Sequence, residues 1–276
     1  MISKDFVYVK PENLKEAYEI YKDYEKKGLT PFYYSGGTEI VTFSRKGLIS
    51  PDILIDLKNI KECKDLYFDN DNLIIGSTVS LNMLVDSNYS KIISKSIRFI
   101  ADRTTRNKIT VGGNVVGQLP FREVVLPLLL LDSKVRIYTS EGFKEFNINE
   151  IFDKNLKITK GDIVVQFILK KEFLNLDFYY DRKVFFSRVD YPIVSTLFVK
   201  NTSIKMAITG AFNFPLRDKE SEDILNQKDL NLSEIVKKIV ERLSPLFKSD
   251  FRASKEYRIE LFKIILNDAL RYFGRS

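Results

Sequence analysis

Thr110-Val111-Gly112-Gly113-Asn114 and, upstream, Ser35-Gly36-Gly37-Thr38-Glu39 are the two stretches around which the rest of the chain is read. Each joins a glycine pair to a small polar residue where an apolar run stops and the chain must turn. Glycine lacks the Cβ that keeps a ligand away from the backbone, so two such loops can bring bare N–H groups to two sides of one anion. Neither pair belongs to a G-x-G-x-x-G fingerprint, and neither opens a phosphate loop ending in Gly-Lys-Ser/Thr. A single Gly-Gly is most simply a turn. Two pairs that both follow apolar segments and both precede a side chain able to reach phosphate oxygens, Thr38 and Asn114, point to a pyrophosphate.

Outward from the first pair, Phe6–Val9 and Phe32–Tyr34 have strand character. Between them Leu14, Ala17, Tyr18 and Tyr21 recur at helical spacing, with Pro11 in the expected first turn and Gly28 at the expected C-terminus. With Ile53–Leu57 these make a small βαβ-like unit over residues 1 to about 58. Leu66 to Ile75 reads as a hairpin turning at Asp69–Asn72, Ser80 as a helix cap, and Ser90–Asp102 as a second helix. Pro120 and Pro127 flank a loop and a helical turn, and a further hairpin turns at Glu141-Gly142. After Gly161 come strands over 163–169, 176–186, 193–199 and 204–209, then two amphipathic helices, about 233–247 and 254–273. The expected division is a domain over 1–170, in subdomains of about 1–58 and 59–170, followed by a C-terminal domain over 171–276.

Composition narrows the chemistry. The chain has 276 residues, 44% of them hydrophobic, enough for a substantial core. Its single cysteine, Cys63, cannot form an internal disulfide and cannot by itself hold an iron–sulfur cluster, which takes four protein ligands. Histidine is absent, which removes Ser-His and Cys-His nucleophile pairs and most zinc sites. What chemistry remains must be carried by carboxylates, lysine, tyrosine or a bound organic cofactor. The net charge of +7 is spread with both signs interleaved and without a basic, aromatic-punctuated stripe, so nucleic acid is not the expected partner. No apolar run approaches the ~20 residues a membrane span requires, and a cytoplasmic location is expected.

These residues carry a resemblance. The series Tyr33-Tyr34-Ser35-Gly36-Gly37-Thr38-Glu39-Ile40, Ile55-Asp56-Leu57, Ile75-Gly76-Ser77-Thr78-Val79-Ser80-Leu81 and Arg106-Asn107-Lys108-Ile109-Thr110-Val111-Gly112-Gly113-Asn114 closely resembles the FAD-binding (medium) subunit of molybdenum hydroxylases of the xanthine dehydrogenase and carbon monoxide dehydrogenase type. It continues through Pro127-Leu128-Leu129-Leu130-Leu131-Asp132 and Ala253-Ser254-Lys255-Glu256-Tyr257-Arg258. The resemblance implies an α+β fold of the vanillyl-alcohol-oxidase or p-cresol-methylhydroxylase type: an FAD-binding domain of two subdomains and a C-terminal antiparallel sheet with helices.

By the same resemblance, Ser35, Gly36, Gly37, Thr38, Glu39 and Ile40, with Thr110, Val111, Gly112, Gly113 and Asn114, cradle the FAD pyrophosphate. Glu123 stands where an acidic residue helps hold the cofactor, Lys183 where a basic residue lies near the isoalloxazine, and Ile100 and Val164 where apolar side chains line it. Glu123 read alone could equally be a charge pairing with a neighbour such as Arg122, and Lys183 a solvated strand residue. Family members commonly carry Asp where Glu39 stands and Ser-Pro before an Asp where this chain reads Gly117 to Glu123.

The function the resemblance implies is electron transfer: a molybdenum cofactor subunit oxidises the substrate, a 2Fe–2S subunit relays electrons, and this chain's FAD passes them to an acceptor such as NAD+. No catalytic acid–base residue and no metal ligand is expected in this chain. A stand-alone flavin reductase of the same fold, or an assembly subunit that has lost FAD, are the alternative readings.

Overall fold

A computed structural model of the chain describes residues 4–275. The chain forms two compact units: the described residues up to Ser87 with Arg103–Gly117 and Asp132–Lys171, and Asn88–Asp102 with Gln118–Leu131 and the described residues from Glu172 onward.

In the first unit a parallel sheet has the order Val7–Val9, Ile53–Asp56, Pro31–Tyr34. Its central strand is buried along its whole length. The helix Leu14–Lys26 starts at Asn13, whose side chain accepts from the Glu16 N–H, so Pro11 precedes the helix instead of opening it. Leu14, Ala17 and Tyr21 pack from this helix onto Ile53, Ile55, Leu57 and Cys63. Gly28 leaves the helix at φ 74°, a conformation glycine takes without the Cβ penalty.

A second, antiparallel sheet has the order Leu66–Asp69, Asn72–Gly76, Ile163–Lys170, Lys134–Thr139, Gly142–Asn147. Both hairpins fall where expected. Ile163–Lys170 is its middle strand, almost entirely buried, which explains a near-continuous apolar run in place of an alternating one.

The second unit has an antiparallel sheet in the order Asp177–Val184, Pro192–Lys200, Ile204–Thr209, Leu216–Arg217. Ile193, Phe198, Met206 and Ile208 pack with Ile235 and Ile239 of the helix Leu232–Leu243 and with Phe262, Ile265 and Leu266 of the helix Lys255–Tyr272. Ser254 caps the latter, and Arg258 in its first turns is wholly buried. Its guanidinium donates to the carbonyls of Ile193 (2.7 Å) and Gly210 (2.9 Å) and to Asp250 Oδ1 (2.6 Å). The Ala253–Arg258 motif is therefore a helix start that ties two strand ends together.

Several elements differ from expectation. The helix expected over Ser90–Asp102 spans only Lys91–Ile97, a turn follows it, and Ala101 takes a left-handed φ of 53° that no right-handed helix could continue through to Asp102. Pro127 lies inside the helix Val125–Leu130, in the first turn, where its missing N–H costs nothing. A helix at Lys219–Asn226 was hidden by its charged sequence, its one signal being Asp218, which accepts from the Ser221 N–H.

Candidate cofactor site

Both glycine motifs belong to the first unit, and the fold brings them together. Ser35 Oγ donates to Thr110 Oγ1 at 2.9 Å. A Cβ on Gly36 would fall 1.8 Å from the Lys108 carbonyl oxygen, so the first turn presses against the turn that enters the second motif. Gly37 has φ 69°, and a Cβ there would meet the Tyr34 ring at 2.3 Å. Both glycines are thus required by the protein's own packing, before any ligand is considered.

From Gly37 the chain enters the helix Thr38–Arg45, whose N-terminus has no side-chain cap. A helix start directs its first-turn amides outward, and the helix dipole adds a partial positive charge there. Glycine backbone leading into an uncapped helix start fits a diphosphate group.

The second motif is built differently from the loop expected. Thr110 is the N-cap of a helix, Val111–Val116, and its hydroxyl accepts from the Gly113 N–H at 3.2 Å. Val111 and Gly112 donate to the carbonyls of Val79 and Ser77 (2.9 and 2.8 Å), and Asn114 donates to the Thr110 carbonyl at 2.9 Å. These N–H groups are spoken for within the chain. The reason for Gly112 is close packing, since a Cβ would lie 2.6 Å from Ser77 Cβ. Gly113 is exposed, and a Cβ there would fall 2.9 Å from Thr110 Oγ1. The Ile75–Leu81 motif is the other half of this contact: Ser80 bridges Thr110, and a Cβ on Gly76 would strike the Cys63 carbonyl at 2.2 Å.

Among the remaining residues, Val164 lies in the first unit, buried on the middle strand opposite Ile137. Ile100, Glu123 and Lys183 lie in the second. Ile100 is buried. Lys183 is half-exposed on the strand Asp177–Val184 and pairs with Asp181 at 2.8 Å.

Glu123 is 1% exposed. Arg182 grips its carboxylate: Arg182 Nε donates to Oε1 at 2.8 Å and its terminal nitrogen to Oε2 at 3.1 Å. Tyr180 (3.1 Å) and Ser195 (3.0 Å) also donate to Oε1. Arg182 further donates to the carbonyls of Arg188 and Asp190. Burial alone would lower the Arg182 pKa, and the carboxylate more than offsets this, so the guanidinium is held above its ordinary value. Burial first, then Glu123, raises the Tyr180 phenol well above its usual range. Arg182, Tyr180 and Ser195 carried no local motif that sequence reading could use.

Comparison with known proteins places the chain in a family. Residues 4–169 match the model of the FAD binding domain in molybdopterin dehydrogenase. The glyceraldehyde dehydrogenase medium chain of Sulfolobus acidocaldarius is 24% identical over 288 residues, covering 98% of this chain and 99% of its own. The nicotinate dehydrogenase FAD-subunit of Eubacterium barkeri is 24% identical, over 54% of this chain and 51% of its own. The structure of carbon monoxide dehydrogenase from Hydrogenophaga pseudoflava that lacks the Mo-pyranopterin moiety superposes with a TM-score of 0.86 at 16% identity, covering 100% of both chains. The protein is an FAD flavoprotein of α+β fold. It belongs to the family of FAD-binding domains in molybdopterin dehydrogenases.

Proposed function

We propose that this chain is the electron-transfer subunit of a molybdenum hydroxylase complex, receiving electrons from the 2Fe–2S clusters of one partner subunit while a molybdenum cofactor subunit oxidises the organic substrate. The observation that carries this is its end-to-end match to a medium chain, combined with a polypeptide of one cysteine and no histidine that has no ligand set for a cluster of its own. FAD, when bound, supplies the redox chemistry, taking up electrons singly and delivering a pair to an acceptor such as NAD+. The chain's own residues bind and orient.

In the first unit, the backbone of Ser35–Ile40 receives the diphosphate, with Thr110–Asn114 supporting that turn through the Ser35–Thr110 hydrogen bond and Val164 adding apolar surface. In the second unit, Ile100 adds apolar surface, Lys183 supplies positive charge that tunes the flavin, and Glu123 contributes by fixing Arg182. The proposed setting is a cytoplasmic complex. Among the described residues no helix is long and apolar enough to cross a membrane.

The test is to express an affinity-tagged copy in its native host and measure flavin, iron, sulfide and molybdenum in the purified material. Co-elution of all four in fixed ratio is the expected result. A chain that elutes alone with flavin and turns over an organic acceptor with a reduced nicotinamide is a stand-alone reductase, and the proposal falls.

A further inference from the structure

Lys58 sits against the first glycine turn. Its ammonium donates to the Ser35 carbonyl at 2.9 Å and to Asp56 Oδ1 at 2.8 Å, and lies 4.3 Å from the centroid of the Tyr34 ring. Asp56 ends the central strand of the parallel sheet and is 1% exposed. It also accepts from the Lys58 backbone N–H at 2.9 Å and from the Tyr8 hydroxyl. The Tyr34 ring occupies the space a Cβ on Gly37 would need, and the Tyr8 ring meets it edge-on at 6.0 Å. One cation therefore joins a buried carboxylate, the carbonyl that opens the turn and the ring on which Gly37 rests.

An exposed lysine paired with an exposed acid contributes little. Here the acid is buried, and its oxygens need fixed donors. The lysine's second bond goes to backbone, where it restrains a conformation instead of neutralising a charge. An ammonium has three donors in a compact head, so it can hold Asp56 and Ser35 together while facing an aromatic ring.

We propose that Lys58 is the positioning residue of the diphosphate turn: anchored on Asp56, it fixes the Ser35–Gly37 backbone in the conformation that receives FAD and thereby sets FAD affinity. The inference rests on reading that turn as the diphosphate site.

The test is FAD titration, followed by flavin fluorescence, into the cofactor-free full chain as wild type, Lys58→Met and Lys58→Arg, at a temperature where circular dichroism shows all three folded. Lys58→Met is expected to weaken FAD binding about tenfold or more, and Lys58→Arg, which can still bond both oxygens and face the ring, to recover to within about threefold of wild type. If Lys58→Met does not fold, the Asp56→Asn/Lys58→Met pair, which removes the buried charge together with its cation, takes its place with the same expected loss. A folded Lys58→Met or paired variant that binds like wild type overturns the proposal, as does Lys58→Arg as weak as Lys58→Met. Wild-type protein that takes up no FAD would overturn the underlying reading of the turn itself.

Discussion

The hydroxyl of Ser35 donates to Thr110 Oγ1 at 2.9 Å across 75 residues of sequence. Thr110 Oγ1 also caps its own helix by accepting from the Gly113 N–H, so one oxygen joins the two glycine motifs and starts the helix that carries the second. Thr110→Val is expected to lose both contacts. Losing a helix cap costs about 1 kcal/mol, and FAD affinity should fall several-fold further than for Ser35→Ala, which spares the cap. Denaturant unfolding and FAD titration of both variants check this.

The glycines separate into those that packing forbids to change and those that it does not. Gly36→Ala would drive a Cβ to 1.8 Å from the Lys108 carbonyl, a backbone atom that cannot step aside, and Gly112→Ala would meet Ser77 at 2.6 Å. Both should unfold or strongly destabilise the first unit with or without FAD. Gly142, at φ 94° with nothing within 4 Å of its Cβ position, should tolerate alanine at a cost of about 1 kcal/mol. Melting temperatures of the three variants decide it.

Glu123 and Arg182 form a buried pair with side-chain exposures of 1% and 6%. Removing one partner of such a pair typically costs about 3–5 kcal/mol because the other charge remains buried. Glu123→Ala should therefore lower stability by that order, and Glu123→Gln by less because it keeps an acceptor oxygen. Chemical denaturation measures both. A Glu123→Ala protein as stable as wild type would show that the carboxylate does not hold Arg182 in place.

Asp218 gives the second unit an acid sensitivity. Burial would raise its pKa, but hydrogen bonds from Arg242 and Ser221 outweigh this and hold the carboxyl below its ordinary value. A carboxylate depressed on folding contributes stability that is present above its unfolded pKa of about 4 and is lost as pH falls from there through the folded value. The melting temperature should drop between about pH 5 and pH 3, and Asp218→Asn should flatten that drop while lowering stability at neutral pH.

Cys63 is wholly buried, and burial pushes its thiol up to about 12. It should resist alkylation by iodoacetamide at pH 8 in the native protein and react once the protein is unfolded in denaturant. Mass spectrometry of the two samples checks it, with rapid native labelling as the contrary result.

Much of the fold was legible because its signals are local. Asn70 and Gly142 mark two hairpin tips by their turn chemistry, Ser80 and Ser254 mark helix starts by their hydroxyls, and the Leu14–Tyr21 spacing marks a buried helix face. The second glycine motif was misread as a loop because a Gly-Gly pair argues against helix by propensity. Thr110's cap and the packing of Gly112 on Ser77 override that propensity, and the Ser77 contact is visible only in three dimensions. The same limit hid Lys58 and Arg182. Nothing in the sequence says that Lys58 reaches back to Ser35, or that Glu123 finds a partner 59 positions on.

The most direct measurement is the visible absorption spectrum of the purified full chain, incubated with FAD, freed of excess by gel filtration, and then treated with dithionite. The expected result is retained oxidised-flavin absorption in stoichiometric amount that bleaches on reduction. A folded chain that emerges colourless after incubation with excess FAD would contradict the cofactor assignment and, with it, the electron-transfer role.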